Sequence, residues 1–285
     1  MTETTGSQPE NSSDAETSPA VDSSVAETAT EPSADEKKRT TLRESATLVA
    51  IALVLYYLTL TFVARPYLIP SESMEPTLHG CHGCVGDRIM VDKITYRFGS
   101  PQPGDVIVFR GPPSWNKNYR SIRSDNTAVR WVQNALSFIG FVPPDENDLV
   151  KRVIAVGGQT VQCRNDTGLT VDGKELDEPY LNPATLMVDP VVYPCLGSEF
   201  GPVTVPAGRL WVMGDNRTHS SDSRAHCDNT PEGYRERLLC TGDDADAGTV
   251  PVDNVIGKTR FIAWPPSRWG LVRAINPQKM SEQGP

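Results

Sequence analysis

An uncharged run of 20 residues, SATLVAIALVLYYLTLTFVA at positions 45–64, lies near the N-terminal end of this 285-residue chain. A helix rises about 1.5 Å per residue, so the run would be about 30 Å long, the thickness of the hydrocarbon core of a bilayer. A cleaved signal peptide would have a shorter apolar region followed by small residues, whereas Arg65, Pro66 and Tyr67 follow this one. The run therefore predicts a transmembrane helix that is kept as a signal-anchor.

The segment before this run is acidic at first and then basic. Residues 1–36 contain nine Asp or Glu, no Lys or Arg, and almost no large apolar side chains. Such a segment cannot bury enough apolar surface to offset the entropy lost on ordering. We therefore expect residues 1–44 to form a disordered acidic tail that ends in a basic cluster.

Basic residues flank the apolar run unevenly. Lys37, Lys38, Arg39 and Arg43 precede it, and Arg65 alone directly follows it. Positive residues favour the cytoplasmic side of a membrane, which predicts a cytoplasmic N-terminus and an extracytoplasmic domain over residues 65–285. The expected location is the plasma membrane, with a single pass and contact with membrane lipid.

The net charge of −9 reflects the acidic tail. After those 36 residues, the remaining 249 hold 27 acidic and 27 basic residues. A neutral folded part lacks the broad basic surface of a nucleic-acid-binding protein, so we expect no nucleic-acid partner. The composition also excludes collagen, a coiled coil and a wholly disordered chain.

All six cysteines follow the apolar run, at positions 81, 84, 163, 195, 227 and 240. An even number of cysteines in an oxidising compartment predicts disulfides, and we expect pairing in sequential order among the many possible connectivities. The alternative is a metal site on His79, Cys81, His82 and Cys84. Because a structural zinc site usually has a second close pair of ligands, and none is visible, we expect no metal.

The part after the apolar run is predicted to be mainly β structure. Short stretches rich in Val and Ile are separated by Gly, Pro, Asn and Asp, as in domains of many short strands. These stretches are residues 87–94, 105–109, 149–156, 169–171, 203–205, 210–213 and 255–263. Residues 128–142 differ, since their apolar side chains recur at the spacing of one helix face, which predicts an amphipathic helix.

Four segments stand out from this β pattern: PSESMEPTL at 70–78, GDVIVF at 104–109, KRVIAVGG at 151–158 and GDNRTHSSDSR at 214–224. Together, in this order and behind one anchor, they resemble bacterial type I signal peptidases, most closely the actinobacterial form. A serine before a methionine would be a weak signal alone, but four ordered segments are highly specific. The resemblance covers nearly everything from about residue 46 to the C-terminus.

The resemblance implies a role for each matching residue. Ser73 matches the nucleophile that forms an acyl-enzyme, and Lys151 matches its general base. The hydroxyl of Ser71 and the backbone N–H of Ser73 match the oxyanion donors, and Ser220 matches the serine that orients the lysine. Glu72 departs from the family, which often has glycine between the two serines. Four polar residues match those that brace the site: Arg152, Asp215, Asp222 and Arg224.

The resemblance also implies a fold and an activity. It implies an antiparallel β catalytic domain with a small inserted β subdomain at about residues 160–209. The activity would be that of a membrane-anchored serine endopeptidase, with a Ser/Lys dyad, that removes N-terminal signal peptides from exported preproteins after small residues, in an Ala-x-Ala pattern. Its partners would be preproteins delivered by the export machinery, and no cofactor would be needed.

An extended substrate would add as a strand to a sheet edge, with alternate side chains in small pockets. Four residues that flank the proposed dyad in sequence are our candidates for these pockets: Tyr67, Ile69, Pro70 and Val150.

The residues around Lys151 favour a general base on separate grounds. A serine hydroxyl needs a base, and a lysine can act as one only when neutral, which burial promotes by lowering its pKa. On a strand over 149–156, period-2 alternation places Lys151 on one face with Leu149, Val153 and Ala155, and Arg152 on the other. An arbitrary strand lysine would more often reach water with its amine, but here the serine segment argues against that.

Two other functions stay open. Ser114 with Lys117, and Ser124-Asp125-Asn126, resemble short motifs of penicillin-binding enzymes, but both lie in one short loop rather than on separate elements. The chain could also be an anchored binding or scaffold protein without activity.

Overall fold

The computed structural model describes residues 34–81, 83–116, 123–138, 142, 148–181, 194–227 and 248–279. Most of the predicted disordered tail lies outside these ranges, since only its positions 34–44 are described. The contacts divide the chain into two compact units, Met1–Ala50 and Ile51–Pro285.

The apolar run forms a helix. Helix α1 covers Ala34–Phe62, and its part Leu42–Phe62 is long and apolar enough to cross a membrane. It begins before the predicted position 45, since the preceding residues include good helix formers and neither Gly nor Pro. Large apolar side chains such as Leu53 are exposed, and the hydroxyls of Thr59 and Thr61 donate to carbonyls four residues earlier at 2.8 Å.

Eight antiparallel strands form the larger sheet. They are β1 (Ala64–Leu68), β2 (Arg88–Asp92), β3 (Val106–Arg110), β4 (Asp148–Val156), β9 (Arg209–Met213), β10 (Val250–Pro251), β11 (Val255–Trp264) and β12 (Gly270–Leu271). Their order across the sheet is β1-β2-β11-β3-β4-β9-β10, and β12 pairs with β11. Strand β4, which carries Lys151, is therefore an interior strand between β3 and β9.

Four antiparallel strands form a second, smaller sheet. They are β5 (Thr160–Arg164), β6 (Gly168–Val171), β7 (Lys174–Glu175) and β8 (Phe200–Thr204), in the order β7-β6-β5-β8. All four lie within residues 160–209, where the inserted subdomain is predicted. The chain leaves the larger sheet after β4 and returns to it at β9.

Each of the seven predicted strand stretches overlaps a strand, and the mainly antiparallel β class is confirmed. The sequence did not predict β5, β7, β10 or β12. It also did not predict β1, whose residues ARPYL show no alternation and include a proline. Its strand conformation depends on pairing with β2, where Tyr67 lies opposite Ile89. Such pairing is a tertiary contact that no local pattern reveals.

The predicted amphipathic helix is α3, Thr127–Phe138, which ends before the predicted position 142. Its apolar side chains do not face the core, since Trp131 is 72% exposed, while Ser137 on the polar face is buried. The polar face instead contacts the segment that precedes the helix, where Arg123 Nε donates to Asn134 Oδ1 at 3.1 Å.

Three short helical elements lie between strands of the larger sheet in the described part of the chain. They are α2 (Thr95–Phe98), α4 (Ser223–His226) and a 3-10 helix at Glu72–Met74. Three further 3-10 helices lie at Pro113–Asn116, Val252–Asn254 and Pro266–Arg268.

Buried apolar residues join the two sheets. Phe200 of β8 stacks on Trp211 of β9 with ring centroids 5.3 Å apart, and both side chains are almost fully buried. Ile154 of β4 and Val161 of β5 belong to the same cluster. The smaller sheet is therefore fixed to strands β4 and β9 of the larger one.

Two predicted disulfides are confirmed, Cys81–Cys84 and Cys163–Cys195. Cys227 is also disulfide-bonded, but the predicted partner, Cys240, lies outside the described residues. Cys81 and Cys84 lie beside His79, as the metal alternative required, while its fourth member, His82, lies outside the described residues. In this structure their sulfurs are bonded to each other, so neither is a thiolate that could bind an ion.

Candidate active site

Ser73 lies in the 3-10 helix Glu72–Met74, on the segment between β1 and β2. Met74 and Leu78 are fully buried and anchor this segment in the core cluster of β1, β2 and β3. Glu72 is exposed, which explains why a carboxylate is tolerated between the two serines. The turn therefore presents Ser73, half-buried, at the surface of a rigid core.

Lys151 meets Ser73 from the interior of the larger sheet. Its Nζ lies 2.8 Å from Ser73 Oγ and donates to the carbonyl of Val150 at 3.0 Å. Only 3% of Lys151 is exposed, and Ile107 lies opposite it on β3. The two residues that the sequence proposed as nucleophile and base are thus within hydrogen-bond distance.

The face of β4 that carries Lys151 was predicted correctly for two of its three apolar neighbours. Leu149 and Val153 contact the cluster that contains Ile107, on the face of Lys151. Ala155 was placed on this face wrongly, since it contacts a different cluster together with Ile154. The reason is a register shift between Val153 and Ala155 where β4 pairs with β9, because a bulge interrupts alternation.

Burial lowers the pKa of Lys151 to about 8, because an ammonium loses its hydration among apolar side chains. The carboxylates of Asp222 and Asp215 act in the opposite direction and favour the charged form, and Arg224 adds to the lowering. About one tenth of the amine is therefore unprotonated at pH 7 and about half at pH 8, and this is the form that can accept a proton.

Ser71 directly precedes the 3-10 helix in an extended conformation. Its Oγ lies 3.4 Å from Ser73 Oγ, and its side chain is exposed. The hydroxyl is close enough to the nucleophile to reach an oxygen of a group attached there.

The segment after β9 closes over the back of the serine turn. Asn216 N donates to the carbonyl of Ser73 at 3.1 Å, and Asn216 Nδ2 donates to the carbonyl of Glu72 at 3.2 Å. Gly214 has no room for a side chain, since a Cβ there would lie 2.4 Å from the carbonyl oxygen of Ser73 and 2.3 Å from Ser220 Oγ. This contact fixes the peptide that holds the proposed nucleophile.

Ser220 packs against Gly214 in this contact, but it makes no hydrogen bond to Lys151. Its Oγ is buried and has no hydrogen-bond partner at standard geometry, although it lies near enough to Asp222 to help lower the pKa of that carboxyl. The role that the resemblance implies, orienting the amine of Lys151, stays a prediction.

Two buried ion pairs surround the dyad, formed by the four residues predicted to brace it. Arg152 donates to Asp215 with Nε and Nη2 at 2.8 and 2.7 Å. Arg224 donates to Asp222 with Nε and Nη2 at 2.9 and 2.8 Å. Burial alone would raise the pKa of Asp222, but Arg224 and the N–H of Gly214 lower it to about 2.

The predicted pocket residues fall into two groups. Tyr67 and Ile69 are 4% and 3% exposed and contact the core cluster beneath the serine turn. Pro70 is exposed beside Ser71, and Val150 is partly buried beside Lys151. Contact of these four residues with a substrate stays a prediction.

Sequence reasoning missed the side chains that hold the segment after β9. Asn216 and Arg217 lie inside the GDNR motif, so the motif itself was a signal for them. Glu178 and Tyr180, which contact Arg217 and Arg152, follow β7 in a stretch without a distinguishing pattern. Their contribution depends on a contact between the two sheets.

One motif of the penicillin-binding alternative is described only in part. Ser114 lies in the 3-10 helix Pro113–Asn116, while Lys117, its predicted partner in the penicillin-binding motif, lies outside the described residues.

Comparison with known proteins gives concordant results. The chain matches the family described as signal peptidase, peptidase S26, over residues 42–264. It is 78% identical over 242 residues to a signal peptidase I of Mycobacterium tuberculosis, which covers 85% of this chain and 79% of that protein. It is 68% identical over 290 residues to a probable signal peptidase I of Mycobacterium leprae, covering 98% and 99% of the two chains.

A crystal structure of a signal peptidase I from Enterococcus faecalis also aligns with the chain. The sequences are 24% identical, and the alignment covers 56% of this chain and 97% of that one, with a TM-score of 0.33.

Proposed function

The chain belongs to the signal peptidase family of serine peptidases, peptidase S26, and from this we propose that it cleaves signal peptides from exported preproteins with Ser73 and Lys151 as a catalytic dyad. The proposal includes cleavage after small residues in an Ala-x-Ala pattern. It also includes anchoring by α1, with the catalytic domain on the outer side of the plasma membrane.

One observation carries the dyad: Lys151 Nζ lies 2.8 Å from Ser73 Oγ, and the amine is buried with a pKa of about 8. A base must lie within about 2.6–3.2 Å of the proton it takes and must be unprotonated at the working pH. The amine of Lys151 meets the distance condition, and about half of it is unprotonated at pH 8, so no histidine is needed.

In the acylation step, Ser73 Oγ attacks the carbonyl carbon of the scissile peptide bond while its proton passes to neutral Lys151. The resulting oxyanion would accept hydrogen bonds from the backbone N–H of Ser73 and from Ser71 Oγ. The Lys151 ammonium then gives its proton to the leaving amine, and the carbon–nitrogen bond breaks. An acyl ester on Ser73 and a neutral Lys151 remain.

In the deacylation step, a water molecule loses a proton to Lys151 and attacks the ester carbonyl. The ammonium returns the proton to Ser73 Oγ as the ester bond breaks. The free carboxylate of the signal peptide leaves, and the dyad is restored to its starting state.

Binding of an extended substrate is supported by the position of the serine turn. Strand β1 is an edge strand of the larger sheet and ends three residues before Ser71. A peptide bound in extended form near such an edge presents alternate side chains to the protein. Pockets that accept only small side chains at alternate positions would give the Ala-x-Ala pattern.

Anchoring is supported by α1, whose part Leu42–Phe62 is long enough to span a bilayer and ends two residues before β1. The membrane-embedded signal peptide of a preprotein would present its cleavage site close to the same surface. A short connection between span and catalytic domain keeps the serine near that surface.

Cleavage of a preprotein by the purified full-length chain tests this proposal. In detergent, wild type should convert a labelled preprotein into a product whose new N-terminus follows an Ala-x-Ala sequence. Ser73→Ala should bind the same preprotein without cleaving it, whereas Ser114→Ala should be as active as wild type. Cleavage at another site, or full activity of Ser73→Ala, would contradict the proposal.

A further inference from the structure

Two residues in the segment that follows the edge strand of the smaller sheet contact buried arginine side chains beside the proposed dyad. Glu178 and Tyr180 follow β7, yet they contact Arg217 and Arg152, which belong to the segment after β9 and to β4. These contacts join the two sheets at the place where the proposed nucleophile is held.

Glu178 binds Arg217 with both carboxylate oxygens. Arg217 Nη1 donates to Glu178 Oε2 at 2.7 Å, and Nη2 contacts Oε1. The side chains are 3% exposed for Arg217 and 12% exposed for Glu178. A bidentate pair fixes the direction of a guanidinium as well as its position, so Glu178 determines where Arg217 lies.

Arg217 in turn holds the segment that contacts Ser73. Its Nε donates to the carbonyl of Gly214 at 3.1 Å, and its own carbonyl accepts from Arg224 Nη2 at 2.9 Å. Between them, Asn216 N donates to the carbonyl of Ser73. The path from Glu178 to the proposed nucleophile therefore consists of two side-chain contacts and one backbone hydrogen bond.

Tyr180 extends the same arrangement to the residue next to Lys151. Its Oη donates to Glu178 Oε1 at 2.6 Å, and Arg152 Cζ lies 3.9 Å from the centre of its ring. Arg152 is fixed on its other side by Asp215. A guanidinium over an aromatic ring is attracted to it, most strongly where both are desolvated.

We propose that Glu178 and Tyr180 are positioning residues for the reaction: through Arg217 and Arg152 they hold Ser73 and Lys151 in the attacking geometry. The inference rests on the proposed function of that dyad. Neither residue touches the reacting atoms, and their effect is on the place of the Ser73 peptide, whose N–H is also a proposed oxyanion donor. The smaller sheet thereby takes part in catalysis.

This role predicts an effect on the transition state and little effect on substrate binding. A Gln at position 178 would present an amide N–H₂ to one Arg217 nitrogen, two donors facing each other, so the guanidinium would shift. A displacement of about 1 Å in an active site costs about 100-fold in rate, so we expect kcat of Glu178→Gln to fall about 10- to 100-fold. KM should stay within about twofold, because the ground-state contacts are unchanged.

The experiment compares full-length wild type and Glu178→Gln in detergent with three probes. The first is a cleavable preprotein, which gives kcat and KM. The second is a peptide aldehyde, whose carbonyl carbon would bond to Ser73 Oγ and form a tetrahedral adduct. The third is the same peptide with a non-cleavable amide replacement, which reports ground-state binding alone. Glu199→Gln is the matched control, because Glu199 lies in the same subdomain and, among the described residues, accepts a hydrogen bond from the backbone N–H of the exposed loop residue Asn165, at 2.7 Å.

The proposal expects aldehyde affinity to fall in parallel with kcat in Glu178→Gln, with unchanged affinity for the non-cleavable peptide and normal values in Glu199→Gln. Unchanged kcat in folded Glu178→Gln would overturn it. A loss of kcat that matches the loss of folded protein, or equal weakening of both peptides, would also overturn it, since either result is that of a structural or binding role.

Tyr180→Phe keeps the test decisive if Glu178→Gln does not fold. It removes only the hydrogen bond to Glu178 and leaves the ring over Arg152, so we expect kcat about fivefold lower. Wild-type kcat in this variant would overturn the proposal. A wild type that does not cleave the preprotein at all would instead contradict the proposed function, so the two failures are distinguishable.

Discussion

At the scale of single residues, the burial of Lys151 has two opposite consequences. Removing the amine from water favours its neutral form, which is the form that the proposed mechanism needs to accept a proton from Ser73. The same burial makes the protonated form costly for the folded state. Both consequences follow from one strand position, and each can be measured separately.

The rate of cleavage should therefore depend on pH through Lys151. Because only the neutral amine can act as base, kcat/KM should rise about tenfold per pH unit and level off above about pH 8, the pKa of the buried amine. Lys151→Arg should be inactive, since a guanidinium stays protonated. Initial rates between about pH 6 and about pH 10 give the profile. A rise centred on the pKa of an ordinary histidine would contradict the dyad.

Lys151→Met should abolish activity and stabilise the folded protein at neutral pH. The pKa is lowered from 10.5 to about 8, so the folded state disfavours the proton that the unfolded state keeps below that pH. Each pKa unit corresponds to about 1.4 kcal/mol, which, less the lost hydrogen bonds, gives a gain of about 1–3 kcal/mol in the free energy of unfolding.

This gain should be full below about pH 8 and should shrink as the pH rises from there towards 10.5, because the amine is then neutral in the folded state. Thermal unfolding of the full chain in detergent at two pH values measures it. Lys258→Met is the control of opposite sign, since it removes the partner of Asp105, whose side chain is 5% exposed. Equal changes in both variants would contradict this account.

At the scale of elements, the serine turn is held by its neighbours more than by its own structure. The 3-10 helix Glu72–Met74 is one turn long, and its carbonyls accept hydrogen bonds from Asn216. Strand β4 places the amine of Lys151 against the hydroxyl of Ser73, and the segment after β9 packs against the backbone of the turn. A short turn can hold the proposed nucleophile in a defined position because these two neighbouring elements fix it.

The disulfide Cys163–Cys195 should stabilise the smaller sheet without taking part in catalysis. It joins β5 to the segment before β8 across a sequence separation of 32, so it restricts the unfolded chain considerably. Replacing both cysteines with alanine should lower the free energy of unfolding by about 2–4 kcal/mol and leave kcat of the folded protein unchanged.

The pair Cys81–Cys84 is the matched comparison, because its sequence separation is only 3. Its removal should cost less, since a short loop gains little entropy when it is released. Thermal unfolding of both double variants without reductant makes the comparison. A larger loss for the short loop would argue against chain entropy as the cause.

At the scale of the whole molecule, the acidic tail, the apolar run and the domain that follows it differ in charge and in hydrophobicity. The acidic excess lies in the first 36 residues, and the 249 residues after position 36 are neutral in sum. Residues 65–285 hold 26 acidic and 23 basic residues, a net charge of only −3, so their field on a substrate is weak, and selection of preproteins would depend on the signal peptide and on small side chains at the cleavage site.

The orientation of the chain is tested with protease added outside intact spheroplasts. Four basic residues before the span and one just after it predict a cytoplasmic tail, so the catalytic domain should be digested and the tail protected. A tag at each end, detected after digestion, identifies the fragments. Digestion of the tail with protection of the domain would reverse the predicted topology.

Features that depend on neighbouring residues could be predicted from the amino-acid sequence alone. An uncharged run of 20 residues indicates a helix long enough for a bilayer, and stretches rich in Val and Ile indicate strands, because these patterns act within a few residues. The segments around Ser73 and Lys151 were identified differently, from the resemblance of four ordered segments to the signal peptidase family. Sequential pairing of the first four cysteines was also expected.

The contacts between these distant segments became visible only in the three-dimensional structure. Ser73 and Lys151 are 78 residues apart, and their 2.8 Å contact depends on the register of β3, β4 and β9 and on the closure by Asn216. A bulge moved Ala155 from its predicted face, and the contact of Glu178 with Arg217 had no signal in the sequence. Local periodicity gives each strand its faces, but strand pairing and packing between sheets select which distant side chains become neighbours.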